Sequence, residues 1–413
     1  GTYHEALTAY EGERRRYFTE PDGTFNGSGH HFLGIIQKLR ERRPDFPLAE
    51  LDFRKCQEEY DYWRNRPENL RTGKEGQRLK AKTCSNYIGE LNRFFNWLHV
   101  DSDFGWKRPQ DHDLLKLDVR DIKGDRRSVR KMEVMSFSID ELKLIYRNAI
   151  PFERFLITWC LNCAHGAAEV GRVEWGDIFS SQEHPWQKDG LRIRSTTEDN
   201  WCGLIRPKSG VIGWWWLWPE TIHLLEWWRG QWRDKLGREP QQSDRILLTD
   251  KGAPYYRDES RNAQSSFGNT WTRLKKRVRK NEPEAKFADL PFGTLRDQLP
   301  DWLGGDHANP IVASVALCHG IPHKGDKLLY RHYSNRPWGA LFQAQREYRQ
   351  YLMPMFESVS DPLVEPDPLG EKVRTLWKTG VRSPSKIAEC LEVSVATVHR
   401  RLNQLGLRDK NQK

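Results

Sequence analysis

The period of the hydrophobic pattern changes once along this 413-residue chain, and that change limits the folds open to it. Up to about residue 100, apolar residues recur at i, i+3, i+4 and i+7, the spacing of one helix face. Four amphipathic segments carry the pattern: HEALTAYEGERRRYF, GHHFLGIIQKLRER, FRKCQEEYDYWRNR and TCSNYIGELNRFFNWLHV. The last sets Tyr87, Leu91, Phe94, Phe95 and Leu98 on one stripe. From about residue 136, helical stretches are interrupted by short β-rich runs. A helical unit is therefore followed by an α+β one, and the length suits two or three domains.

The second block opens on SIDELKLIYRNA, where Ser138 with Glu141 three residues later has the capping-box spacing. PFERFLITWCLNCA is mostly apolar and reads as a buried helix. GLRIRS, GLIRPK and GWWWLW are separated by turn residues and read as an antiparallel meander. The two-residue period puts Trp214, Trp216 and Trp218 on one strand face and Trp215 with Leu217 on the other. Packing between hairpin and helix accounts for them, with base stacking as the alternative. PETIHLLEWWRGQW returns to helix with Pro219 in its first turn. Further helices are expected at 265–280, 294–303, 309–318 and 338–352. The reading gives a helical domain at 1–106, a linker at 107–134 containing the basic run RRSVRK, and an α+β domain at 135–353. A linker at 354–369 with four acids, four prolines and no base precedes a tail at 370–413.

Charge is unevenly distributed. Sixty-seven Lys and Arg face 57 Asp and Glu, a net +10, and the tail alone has ten bases against four acids. An anionic partner is the expectation. Mean hydropathy is −0.82, and no stretch approaches the roughly 20 apolar residues of a membrane span. The first residues show no secretory signal. Seven Cys, an odd and sparse set, fit a reducing cytoplasm. Cys160 and Cys163 form a C-x-x-C inside an apolar helix and read as core thiols rather than metal ligands. Six bases in the eight residues 273–280, Lys275 and Lys276 among them, either line a duplex backbone or form a solvated face. Lys80, Lys82, Thr83, Ser85 and Asn86 open the last helix of the first domain, where side chains and N–H groups can hold a phosphate.

The tail has its own pattern. In KIAECLEVSVATVHRRLNQLGL, residues Ile387, Ala388, Leu391, Val393, Val398 and Leu402 are spaced to pack two short helices across a tight turn. Ser394 is placed to cap the second helix, and EKVRTLWKTG supplies a supporting one. This reads as a helix-turn-helix whose second helix offers Ala396, Thr397, Arg400 and Arg401 to a major groove, with a small protein-binding module as the alternative.

Four features of the middle block follow in a fixed order. They are ITWCLNCAHGAAEVGRVEWGDI, RPKSGVIGWWWLWPET, FGTLRDQLPDWL, and LCHG followed by LLYRHYSN. Residues 1–352 thereby resemble the tyrosine recombinase (phage integrase) family. The resemblance implies an all-α, SAM-like core-binding domain and an α+β catalytic domain, here joined to a small all-α helix-turn-helix tail. It implies duplex DNA as partner, self-association from dimer to tetramer on DNA, and strand exchange for integration or a mobile element, with no cofactor and no metal. By similarity Tyr333 is the nucleophile, forming a 3′-phosphotyrosyl link, with Tyr330 the alternative. Lys208 is the general acid for the leaving 5′ oxygen. Arg296 clamps the phosphate bidentately, and His319 donates a further hydrogen bond.

Two positions depart from the family pattern. Anchoring on Glu169 and Trp175 places Gly166 where the first catalytic arginine belongs, and Gly293 stands at the first position of H-x-x-R. One lost donor typically costs about 10²–10³ in rate. Arg172 is six residues on, about 240° around a helix, and faces elsewhere. His165 and Arg206 remain as substitute donors, between which the sequence does not choose. The alternative function is a homologue that binds DNA as a regulator or accessory factor without cutting it.

Overall fold

The computed structural model describes residues 1–70, 76–100, 103–122, 135–187, 193–206, 209–305, 309–319 and 336–407. The chain divides into two compact units, Gly1–Val134 with Arg257–Ala263, and Met135–Tyr256 with Gln264–Lys413.

The first unit is built from α1 (Tyr3–Tyr17), α2 (Gly27–Arg42), α3 (Phe53–Arg64) and α4 (Ala81–Val100). Thr2, Asn26 and Asp52 cap the first three through side-chain oxygens, each worth about 1 kcal/mol. Of the expected stripe on α4, Leu91, Phe94, Phe95 and Leu98 are fully buried, while Tyr87 meets Trp63 edge to face at 4.6 Å. Two carboxylates are also fully buried. Glu59 takes both Nε and Nη2 of Arg43 at 2.8–3.1 Å. Glu90 accepts from Tyr10 Oη at 2.9 Å and pairs with Arg14 and Arg93. The first half of the expected linker packs on this unit. Trp106 Nε1 donates to the Leu51 carbonyl (2.8 Å), and Arg64 and Arg120 bridge the segments around 64 and 118–120. The basic run at 126–131 and the rest of that linker, from residue 123, lie outside the described residues.

In the second unit, α5 (Ile139–Asn148) starts on the expected capping box. The Ser138 hydroxyl accepts from Glu141 N at 3.3 Å, and Glu141 accepts from Ser138 N at 2.8 Å. α6 (Pro151–Cys163) is buried on all sides and forms the central rod. After the one-turn α7 (Ala167–Val170) comes an antiparallel sheet in the order β1 (Ile178–Phe179), β2 (Trp201–Arg206), β3 (Val211–Trp216). The register pairs Trp201 with Trp216 and Arg206 with Val211. Of the expected strand at GLRIRS, the described residues 193–195 have no strand pairing, and Ile178–Phe179 pairs with β2 at that edge. Trp218 is not on the strand either, because Pro219 starts α8 (Pro219–Leu236) and Trp218 becomes its N-cap. Trp214 packs on Phe179, His184 and Trp186, and Trp215 on His165. Both strand faces are thus covered by protein.

α9 (Ser265–Asn281), α10 (Thr294–Gly305), α11 (Pro310–Ala316) and α12 (Trp338–Phe356) complete the α+β core. The acidic, proline-rich segment after α12 is docked. Arg154 on α6, 1% exposed, donates to the carbonyls of Pro362 (2.9 Å) and Val364 (2.6 Å). The tail folds as α13 (Pro368–Lys378), α14 (Pro384–Cys390) and α15 (Val395–Gln404). Val373, Ile387, Ala388, Val398 and Leu402 form its separate core, and the Ser394 side chain accepts from Thr397 N. Among the described residues no helix is long and apolar enough to cross a membrane.

Candidate active site

The site is built where α6 ends. Ala164, in the left-handed region at φ 50°, turns the chain out of the helix, and Gly166 caps α7. Glu169, in the first turn of α7, accepts from Gly166 N through Oε2 at 3.2 Å. Its other oxygen meets two guanidiniums: Arg206 Nε from the end of β2 at 2.9 Å, and Arg296 Nη1 from α10 at 3.5 Å. A Cβ added at Gly166 would lie 3.1 Å from Glu169 Oε2 and 3.4 Å from Arg296 Cδ. Position 166 therefore abuts Arg296, the residue expected to clamp phosphate. Gly293 differs: it is exposed, and a Cβ there would meet nothing within 4 Å.

α11 brings in the third side. The chain leaves it through Cys318, also left-handed (φ 49°), and His319 follows, exposed, with its N–H on the Ser314 carbonyl at 3.0 Å. This loop lies flat on the hairpin because position 213 is Gly: a Cβ there would be 2.2 Å from Cys318 Sγ. Ser209 Oγ in the hairpin turn donates to the Cys318 carbonyl (3.0 Å), and Arg336 Nη1 donates to the His319 carbonyl (3.2 Å). The structure thus gathers Arg296, His319 and the two ends of the hairpin turn that carries Lys208. Lys208, Tyr330 and Tyr333 themselves lie outside the described residues.

The electrostatics follow from burial. Burial raises the Glu169 carboxyl, but the Arg296 and Arg206 guanidiniums hold it below its usual range. His165 is fully buried between Trp159 and Trp215, its Nδ1 accepting from Trp159 Nε1 at 3.1 Å. Burial lowers its pKa to about 3, with Arg296 and Arg206 reinforcing and Glu169 opposing. His165 is neutral and supplies no second cation. Burial pushes the Cys318 thiol up to about 12 and lowers Arg336. Cys318 feels Arg336, Arg206, Glu169 and Arg296 together, and two of those guanidiniums, Arg206 and Arg296, meet the Glu169 carboxylate. Arg172 is engaged elsewhere, over the Tyr256 ring at 4.6 Å. Cys160 and Cys163 lie wholly in the core, and burial raises both thiols.

The DNA candidates fall into two groups. Lys80, just before α4, and Lys82 are exposed, with Thr83 and Asn86 half-buried along the same helix. On α15, Arg400 is exposed, whereas Arg401 pairs with Asp367 at 3.2 Å and donates to Gln404. Thr397 is half-buried beside the Ser394 cap. In the 273–280 run, Lys275 pairs with Asp289, Arg277 with Glu153 at 2.5 Å and Arg279 with Asp289 at 3.1 Å; Lys276 is exposed. Pattern reasoning missed Arg336, a lone base three residues past Tyr333 with no periodic signal.

No protein-family model matches the chain, and no curated protein does. Solved structures do. A lambda integrase tetramer bound to a Holliday junction is similar with TM-score 0.50 and 14% identity, covering 78% of this chain and 79% of that one. A Tn1549 transposon integrase in complex with transposon right end DNA is similar with TM-score 0.47 and 14% identity over 86% of this chain and 100% of the other. An XerH site-specific recombinase bound to palindromic difH substrate has TM-score 0.45 and 12% identity over 75% and 77%. At such identities the likeness speaks for architecture, and the first carries it: this chain has the tyrosine-recombinase fold.

Proposed function

We propose that the chain binds duplex DNA and cleaves and rejoins its strands at a specific site. The observation that carries this reading is the surplus of guanidinium over carboxylate where α7, β2 and α10 meet, beside a loop presenting His319. Such a site suits a phosphodiester, whose non-bridging oxygens take bidentate charge-assisted bonds. Tyr333 Oη attacks phosphorus, the bond to the 5′ oxygen breaks, and Lys208 protonates that oxygen as it leaves. The 3′-phosphotyrosyl link conserves the bond until a 5′ hydroxyl attacks it and releases the tyrosine. Arg296 clamps the phosphate and His319 donates to it. Lys80, Lys82, Thr83 and Asn86 contact backbone from the first unit, Lys275 and Lys276 from α9, and Thr397, Arg400 and Arg401 from the tail. Exchange between two sites requires several copies of the chain, from dimer to tetramer, assembled on DNA.

A second reading, a regulator that binds without cutting, is favoured by the open space at Gly293. One experiment separates them: a suicide duplex carrying the cognate site is incubated with the protein and assayed for a covalent adduct. Cleavage predicts an adduct that Tyr333→Phe abolishes. A sequence-specific footprint with no adduct favours the regulator, and an adduct that survives Tyr333→Phe moves the nucleophile to another residue such as Tyr330.

A further inference from the structure

We propose that Arg206 supplies, together with Arg296, the guanidinium pair that holds the scissile phosphate, filling from β2 the role that Gly166 leaves empty on α7. Glu169 holds the pair in place until the phosphate arrives. The inference rests on the reading above that a phosphodiester enters this site.

Three observations carry it. Arg206 Nε and Arg296 Nη1 converge on a single atom, Glu169 Oε1, at 2.9 and 3.5 Å, although they come from a strand and a helix. Two donors that reach one oxygen are spaced to reach the oxygens of one tetrahedral anion. Arg206 is also 7% exposed. A guanidinium that deep is costly unless its charge is matched, yet one carboxylate is shared between two cations. The match is incomplete, and Arg296 Nε and His165 Nε2 are buried N–H groups with no acceptor among the described residues. His165 Nε2 carries the proton because Nδ1 accepts from Trp159. Finally, a Cβ at position 166 would point between Glu169 and Arg296. A side chain at position 166 would therefore emerge beside Arg296 and the same carboxylate, Glu169, whose other oxygen Arg206 holds, so Arg206 and an arginine at 166 would address one carboxylate and one neighbouring guanidinium.

The test uses the full chain and sodium tungstate, a tetrahedral oxyanion, titrated calorimetrically at low ionic strength. Glu169→Gln keeps the acceptor for Gly166 N–H and releases both guanidiniums; it is expected to bind tungstate about tenfold more tightly than wild type, the effect of about 1.4 kcal/mol. Glu169→Gln/Arg206→Met removes both partners of the buried pair, leaves no lone buried carboxylate, and is expected to lose the gain. Glu169→Gln/Arg296→Met should lose it as well. Equal affinity of Glu169→Gln and Glu169→Gln/Arg206→Met overturns the proposal, as does a Glu169→Gln protein that binds no tungstate. The suicide-duplex assay separates this inference from its premise. Arg206-dependent tungstate binding without any wild-type adduct keeps the anion site and removes strand cleavage. A wild-type adduct formed equally by Glu169→Gln/Arg206→Met keeps cleavage and removes Arg206 from it.

Discussion

Two carboxylates, Glu59 in the helical unit and Glu169 in the α+β unit, are partnered in different ways. Glu59, in the helical unit, is fully buried and receives three N–H···O bonds from one guanidinium, that of Arg43, so one charge cancels one charge. Glu169, in the α+β unit, is shared between Arg206 and Arg296, and a buried N–H of Arg296 has no acceptor among the described residues. The first arrangement is closed and can only hold structure. The second has positive charge and donors left over, which is the condition for taking up an anion. Between these two carboxylates the difference lies in how fully the guanidinium charge beside each is matched.

Breaking each pair should therefore have opposite consequences. Arg43→Met leaves Glu59 buried without a partner and is expected to cost about 3–5 kcal/mol of stability, seen as a lower urea midpoint for the helical unit. Adduct formed per folded molecule should stay unchanged. Arg296→Met removes one weak ion pair, so the midpoint should move little while adduct formation falls by about 10²–10³. If Arg296→Met destabilises as much as Arg43→Met, the contrast fails and the Glu169 cluster is structural.

A smaller effect sharpens the same contrast through pH. The fold holds His165 neutral, with burial and the facing Arg296 and Arg206 lowering its pKa to about 3 against the opposing pull of Glu169. The unfolded chain takes a proton near pH 6.5. Between those values the unfolded state binds more protons, so stability must fall as pH drops from about 6.5 towards 3. His165→Gln, which keeps an acceptor for Trp159 Nε1, should make that acid limb shallower by up to one proton in a series of thermal midpoints against pH. An unchanged slope would show that His165 is already charged in the fold.

What was legible in the sequence was local. The α4 stripe, the Ser138 capping box, the all-round burial of α6 and the tail core depend on neighbours within a turn or two, and side-chain spacing encodes them directly. The site is long-range. Arg206 lies 37 residues from Glu169, and Arg296 is further still, so whether they meet depends on how the hairpin and α10 fold back on α7. Gly166 is visible as a departure and Arg206 as one of two substitutes, but the sequence does not show that Arg206 is the one that meets Glu169. Alternation through Trp218 fails because Pro219 already switches the backbone to helix. The described end of GLRIRS, residues 193–195, has no strand pairing, since a strand needs a partner as well as a pattern. Arg154 gave no sign of its role, because its acceptors are carbonyls more than 200 residues away.

The smallest effect concerns α9, where adjacent lysines of the same run differ in what they already hold. Lys275 is spent on Asp289, which also pairs with Arg279, while Lys276 is exposed. A lysine released to a phosphate frees a condensed counterion, and each such contact steepens the salt dependence of binding by about 0.9 in log–log slope. If α9 lies along the duplex, Lys276→Ala should reduce the slope by roughly that amount. Lys275→Ala should reduce it less, because breaking its pair leaves Asp289 to Arg279 and weakens that neighbour as a phosphate donor. Equal losses from the two variants would show that the Lys275 pair opens on DNA. No loss from either would make the whole run a solvated face and leave duplex contact to α4 and α15.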